Sequence, residues 1–143
     1  MKPLRALRWL NYVAGLAALV PGLWFLQAQQ GSNFTGGKVS AVDEKPAGNI
    51  AHFRFDPGAR TKWHRHAGGQ IILVEEGVAR TQVKGGPVIE LHAGETTYAP
   101  PGAMHWHGAA PDQGGVQYNV GRGMTTRGEE VTEKEYTAAP KKQ

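Results

Sequence analysis

Short apolar segments bounded by glycine or proline run through most of this chain after residue 48, and they constrain its fold more than any other feature. The sequence holds 20 glycines and 9 prolines in 143 residues, spread between runs of β-branched side chains, which is typical of many strands joined by tight turns. Residues 132–135 form a capping-box pattern that predicts one short helix. We therefore predict an all-β jelly-roll barrel of eight or nine strands with one short C-terminal helix.

Individual strands follow from alternation and from turn residues. In residues 49–55, Ala51, Phe53 and Phe55 share one face, and His52 lies on the other. Later strands are predicted at 71–74, 78–84, 87–91, 96–99 and 116–120. We expect Gly77 to end the strand at 71–74, so that residues 71–74 and 78–84 are separate strands.

The N-terminal segment differs from the rest of the chain. Lys2, Arg5 and Arg8 precede a nearly uncharged run at 9–26, and a polar stretch follows, which is the layout of a secretory signal peptide. We expect residues 1–28 to be removed after Ala28 and the protein to be secreted or periplasmic. The alternative is a membrane anchor, if residues 9–26 stay uncleaved.

Charge and cysteine content narrow the function classes. Removal of residues 1–28 would leave 115 residues with 13 lysines and arginines against 12 acids, so a basic surface for nucleic acid is not expected. The length suits one domain, with an extended arm or edge strand at 29–48, the barrel at 49–125 and a tail carrying the short helix at 126–143. The chain has no cysteine, so a metal must be held by other side chains.

Two histidines two residues apart predict half of a metal site. His64 and His66 project from one face of a strand about 7 Å apart, and Gln70 follows after a flexible Ala-Gly-Gly stretch. His105 approaches from a second segment after the Pro-Pro-Gly turn at 100–102. Three imidazoles and one amide oxygen would leave open positions on a divalent transition metal, as in catalytic sites.

Other side chains near these ligands are candidates for catalysis or substrate binding. His107 shares the strand face of His105 and is a candidate proton carrier, and Arg60 is a candidate for orienting a substrate. Aromatic candidates for substrate binding are Trp63, Tyr98, Trp106 and Tyr118, with a place in the core as the alternative for each. We expect His52 and His92 at the surface.

Two spaced motifs of this chain resemble those of the cupins. The first is Gly58, His64, His66, Gln70 and Gly77, with the cupin spacing intact and glutamine in the place of the usual glutamate. The second motif, also with intact spacing, is formed by Gly94, Pro100, Gly102 and His105. The resemblance implies a small β-barrel, often a homodimer, with one metal inside the barrel. It fixes neither the metal nor the reaction.

The neutral Gln70 bears on the choice of metal. Without a carboxylate ligand the site keeps a charge of +2 and does less to stabilise high-valent iron. By the Irving–Williams order the neutral, nitrogen-rich donor set favours copper, with manganese or iron as alternatives. The motifs are similar to those of cupin hydroxynitrile lyases, which use manganese at such a site but carry a further histidine where this chain has Gln117. The length of the chain without residues 1–28 and its predicted export resemble those of secreted copper cupins that oxidise cellulose.

Three hypotheses follow. The leading one is an exported copper-dependent oxidoreductase that cleaves a polysaccharide such as cellulose. The second is a manganese- or iron-dependent lyase or dioxygenase that acts on a small organic molecule. The third is a non-catalytic module that binds metal or sugar.

Overall fold

The structure is a computed structural model that describes residues 32–43, 45 and 48–141. The predicted signal peptide or anchor at 1–28 lies outside these residues. In the described part of the chain, no helix is long and apolar enough to span a membrane.

The described residues form strands and one short helix, in agreement with the all-β prediction. The elements are β1 (Phe34–Thr35), β2 (Val39–Ala41), β3 (Ile50–Phe55), β4 (Arg60–Thr61), β5 (His64–His66), β6 (Gln70–Val83), β7 (Val88–His92), β8 (Thr96–Ala99), β9 (His105–Ala109), β10 (Gly115–Gly121), β11 (Thr125–Arg127) and α1 (Glu133–Tyr136). The capping box is present at α1, where the Thr132 side chain accepts from the Glu135 amide.

Antiparallel pairing joins these strands into a nearly closed barrel of the jelly-roll type. The pairing order is β1-β4-β9-β6-β10-β3-β2, with β5 between β9 and β11, and with β7 and β8 both on β6. Strands β1 and β2 fall within the segment predicted as an arm or edge strand, and β11 continues the pairing to residue 127. The small jelly-roll barrel with one short helix is confirmed.

One strand prediction is wrong. Residues 71–74 and 78–84 do not form two strands, because β6 runs through Gly77 for 14 residues. Gly77 has a φ of +72°, and the pairing with β10 shifts register between Val116 and Gln117, so the strand bends at a bulge and continues beyond it. Its first half pairs with β8 and β10, and its second half pairs with β7 and β9.

His52 is buried, contrary to its predicted place at the surface. Its Nδ1 lies 3.1 Å from Oδ2 of Asp43 and its Nε2 lies 2.7 Å from Oε2 of Glu75. The ring stacks on Tyr118 with the ring centroids 3.8 Å apart. Alternation correctly turns His52 away from the barrel interior, but Asp43, Glu75 and Tyr118 cover it there. His92 is exposed, as predicted.

Candidate metal centre

Three histidines meet where β5 pairs with β9. Strand β5 places His64 and His66 on one face, and the register sets His64 opposite His105. One ring nitrogen from each of the three histidines lies within 4.8 Å of the others, and the ring centroids of His64 and His105 are 4.3 Å apart. The three side chains can therefore hold one metal ion.

The Nδ1 atoms of the three histidines each lie within hydrogen-bond distance of an oxygen atom. Nδ1 of His64 lies 2.9 Å from the carbonyl oxygen of Lys62, and Nδ1 of His105 lies 3.0 Å from that of Ala103. A carbonyl only accepts, so each Nδ1 carries the proton and each Nε2 keeps its lone pair for a metal. Nδ1 of His66 contacts the Thr125 hydroxyl at 3.0 Å.

Gln70 brings its amide oxygen to the same point. Gly69, with a φ of +82°, turns the chain so that Gln70 begins β6 with its side chain buried. Its Oε1 lies 2.7 Å from Nε2 of His105 and 3.4 Å from Nε2 of His64. Lone pairs of oxygen and nitrogen thus converge, an arrangement that a cation between them stabilises. The donor set fits a divalent transition metal.

Burial keeps the imidazoles of the site neutral. Loss of hydration lowers the pKa of His64 and His66, and burial with the neighbouring His64 lowers the pKa of His105 to about 4. For each of these histidines desolvation is the largest cause, since a charged ring loses water on burial. Neutral rings are the form that binds a metal, and so the ligands need no deprotonation near neutral pH.

A cavity of about 260 Å³ opens beside the ligands. Its polar lining includes the buried His107 and Asn119, whereas Phe34, Ala51 and Phe53 supply an apolar wall. The residues that line it are Asn33, Phe34, Ala51, Phe53, Thr61, Lys62, His64, His66, Gln70, His107, Asn119, Thr125 and Arg127. The volume suits a small organic molecule.

His107 adds a fourth imidazole to this cavity. Its ring centroid is 5.3 Å from that of His64, and burial, followed by the charges of His64 and His105, holds its pKa well below the usual value. Nδ1 of His107 lies 3.1 Å from Oε1 of Gln117, whose amide nitrogen donates to the carbonyl oxygen of Gly108 at 2.8 Å. The amide is thereby oriented, Nδ1 of His107 donates to it, and Nε2 keeps a lone pair.

The sequence did not predict that Gln117 contacts His107 or that Asn119 lines the cavity. Both are buried in β10 and their side chains share the inner face of the barrel. Polar residues at alternate positions of an otherwise apolar strand were the available signal.

Arg60 lies outside the cavity, contrary to the prediction that it orients a substrate. Its guanidinium donates to Oε2 of Glu133 at 2.7 Å and lies 4.2 Å from the ring centroid of Tyr136. Because Thr61 lines the cavity, the preceding Arg60 points to the other face of β4. There it holds the C-terminal helix against the sheet.

None of the four aromatic candidates lines the cavity. Trp63 and Trp106 are buried in one core cluster with Val88, Val131 and Tyr136. Both therefore take the place in the core that was the alternative to substrate binding. Tyr98 is 54% exposed, on the outer face of β8 beside Ile71. Tyr118 covers His52 on the outside of the barrel.

Comparison with known proteins agrees with this architecture. The cupin domain family matches residues 51–121, from β3 to the end of β10. The solved structure of an uncharacterized conserved protein with a double-stranded β-helix domain from Klebsiella pneumoniae has a TM-score of 0.52. It is 22% identical over 67% of this chain and 89% of its own, which supports the fold alone.

Two other relatives have a higher sequence identity to this chain than the Klebsiella pneumoniae protein. The (R)-mandelonitrile lyase of Granulicella tundricola is 49% identical over 61 residues, which are 43% of this chain and 47% of the lyase. The match thus spans about half the length of that lyase. The crystal structure of a cupin-like protein from Thermotoga maritima has a TM-score of 0.59 and is 39% identical, over 72% of this chain and 84% of its own. The chain therefore belongs to the cupin superfamily.

Proposed function

We propose that this protein is a metal-dependent lyase that cleaves a carbon–carbon bond beside a hydroxyl-bearing carbon of a small organic molecule. The observation that carries the proposal is the orientation of His107, whose Nε2 lone pair is kept free by the bond from Nδ1 to Gln117. This imidazole lines the same cavity as His64, His66 and Gln70. The relative named as an (R)-mandelonitrile lyase supports the same chemistry.

In this proposal His64, His66, Gln70 and His105 hold one divalent metal. A metal bound there would supply Lewis acidity toward the oxygen of the substrate hydroxyl. Manganese and iron remain candidates along with copper, because the neutral donor set binds each of them.

His107 is the general base of the proposed reaction. Its Nε2 takes the proton of the substrate hydroxyl, and the electron pair of that O–H bond forms the carbonyl as the bond to the nitrile carbon breaks. The departing cyanide then takes the proton back from His107, so that a cyanohydrin gives an aldehyde and hydrogen cyanide. The apolar wall of Phe34, Ala51 and Phe53 would hold the organic part of the substrate.

Copper-dependent cleavage of a polysaccharide, our leading expectation from the sequence, finds no support in the comparisons. The ligands are also recessed, since His64 is 7% and His105 is 1% exposed, whereas a glycan chain needs an accessible metal. Export and homodimer formation stay predictions from the sequence.

The test is cyanohydrin cleavage by the metal-free protein loaded separately with manganese, iron, copper or zinc. We expect release of benzaldehyde from (R)-mandelonitrile with at least one metal, and a loss of roughly 10²- to 10⁴-fold in His107→Ala, as for a general base. The exposed His92→Ala is the matched control and should keep full activity. Undiminished activity in His107→Ala, or oxidised sugar released from cellulose by the copper form with a reductant, would contradict the proposal.

A further inference from the structure

Asn119 carries a buried acceptor that the proposed reaction does not use. The residue is 2% exposed and lines the cavity. Its Nδ2 donates to the carbonyl oxygen of Gln117 at 3.3 Å, and this bond directs Oδ1 to the other side of the amide. Among the described residues, Oδ1 has no hydrogen-bond partner.

The strands on either side explain why the protein leaves this oxygen unpaired. The register places Asn119 between Ala51 of β3 and Ile72 of β6, and neither side chain can donate a hydrogen bond. A buried acceptor without a donor costs free energy, so the position favours a ligand that supplies the donor.

Asn119 has its own place on the inner face of β10, between Gln117 and Gly121. On the inner face of β10, Gln117 contacts His107 and Gly121 packs against the ring of His66, with Asn119 between them. Each neighbour on this face is about 7 Å away along the strand. The reacting hydroxyl donates to Nε2 of His107 in the proposed reaction, so it is not the donor that Oδ1 requires.

We infer that Asn119 recognises a second hydrogen-bond donor on the substrate. This inference rests on the proposed function and narrows its substrate class to hydroxy compounds that carry a further O–H or N–H group on the organic part. Simple mandelonitrile has only the reacting hydroxyl and would leave Oδ1 unpaired. Asn119 is then a determinant of specificity, and a site built to bond a polar group discriminates against the analogue that lacks it.

The test measures binding of matched aldehydes to the metal-loaded protein by calorimetry. Benzaldehyde is compared with 2-, 3- and 4-hydroxybenzaldehyde, which add one O–H at different positions of the ring. We expect at least one isomer to bind roughly tenfold more tightly than benzaldehyde. Asn119→Leu should abolish that preference, and Asn119→Asp, which keeps an acceptor, should retain it.

Two results would overturn the inference: equal binding of all four aldehydes, as when a buried water is the only partner of Oδ1, or a preference that survives in Asn119→Leu. The comparison of ligands in the wild-type protein needs no variant to fold, and thermal melting with metal content checks both variants. Binding requires no turnover, so the two proposals fail separately. If the protein cleaves mandelonitrile but binds the hydroxybenzaldehydes no more tightly than benzaldehyde, only the role of Asn119 is rejected. If it binds one hydroxybenzaldehyde more tightly but cleaves no cyanohydrin, only the lyase reaction is rejected.

Discussion

Nδ1 of His107 lies 3.1 Å from Oε1 of Gln117, and this contact selects the ring nitrogen that is free to act as a base. The glutamine amide cannot rotate without losing its bond to the Gly108 carbonyl oxygen. Gln117 is therefore a positioning residue for His107. The contact links the two strands that flank β6, since His107 belongs to β9 and Gln117 belongs to β10.

Replacement of Gln117 tests this role. In Gln117→Leu the ring of His107 loses the acceptor that fixes its tautomer, so we expect kcat for the proposed reaction to fall roughly 10- to 100-fold, as for other supporting partners of active histidines. Steady-state kinetics should show little change in KM, and metal content should be unchanged. Gln113→Leu at an exposed position is the control. An equal loss of activity and of bound metal would assign Gln117 a structural role instead.

Removal of a predicted ligand tests the metal centre. We expect His64→Ala and His105→Ala to lose at least 90% of the bound metal after dialysis, because each removes one of four donors that converge on one point. His92→Ala changes the same residue type at the surface and should retain full occupancy. Metal content measured by mass spectrometry of the folded variants checks this. Full occupancy in both ligand variants would place the metal elsewhere.

The neutral Gln70 should set the charge of the site. Gln70→Glu lowers the net charge of a divalent centre from +2 to +1, and the added attraction should raise the affinity for manganese roughly tenfold or more. Competition dialysis against a manganese-selective chelator measures the change. Gln113→Glu adds the same charge at an exposed position, and its affinity should match the wild type. Equal affinities in Gln70→Glu and the wild type would remove Gln70 from the ligand set.

His52 should contribute to stability and not to metal binding. His52→Ala removes the stack on Tyr118 and both contacts with carboxylates, so we expect the free energy of unfolding to fall by about 1–2 kcal/mol. Denaturant unfolding, with His92→Ala as the surface control, measures the loss. Unchanged stability would mean that the contacts with Asp43 and Glu75 are offset by the cost of burying the ring.

The metal-free protein should lose stability in mild acid. His105 has a folded pKa of about 4, below its unfolded value of about 6.5, so the unfolded chain binds more protons between these values. The free energy of unfolding therefore falls as the pH drops from about 6.5 to 4, by roughly 3 kcal/mol for His105 alone. Urea unfolding of chelator-treated protein at several pH values checks the slope. In His105→Asn the decline should be smaller, and an identical decline would contradict this origin.

Local sequence predicted most strands and the three histidines that meet in the structure, because both depend on short-range spacing. The alternation of His64 and His66 places them on one strand face, and the turn at 100–102 leads directly to His105. Gly77 shows the limit of such reasoning. A glycine between two apolar runs predicts the end of a strand, but β6 pairs with β10 as far as Gly77 and with β7 and β9 beyond it, so the strand continues.

The sequence by itself determined an all-β barrel with two histidine motifs and a neutral side chain at position 70. Only the tertiary structure decided that Arg60 faces the C-terminal helix, that His52 is covered and that Gln117 orients His107. Each of these contacts joins two different elements that do not pair directly with each other: β4 and α1 for Arg60, β3 and β6 for His52, and β9 and β10 for Gln117. Periodicity specifies the face on which a side chain lies, whereas the strand register and the segments packed on that face determine its partner.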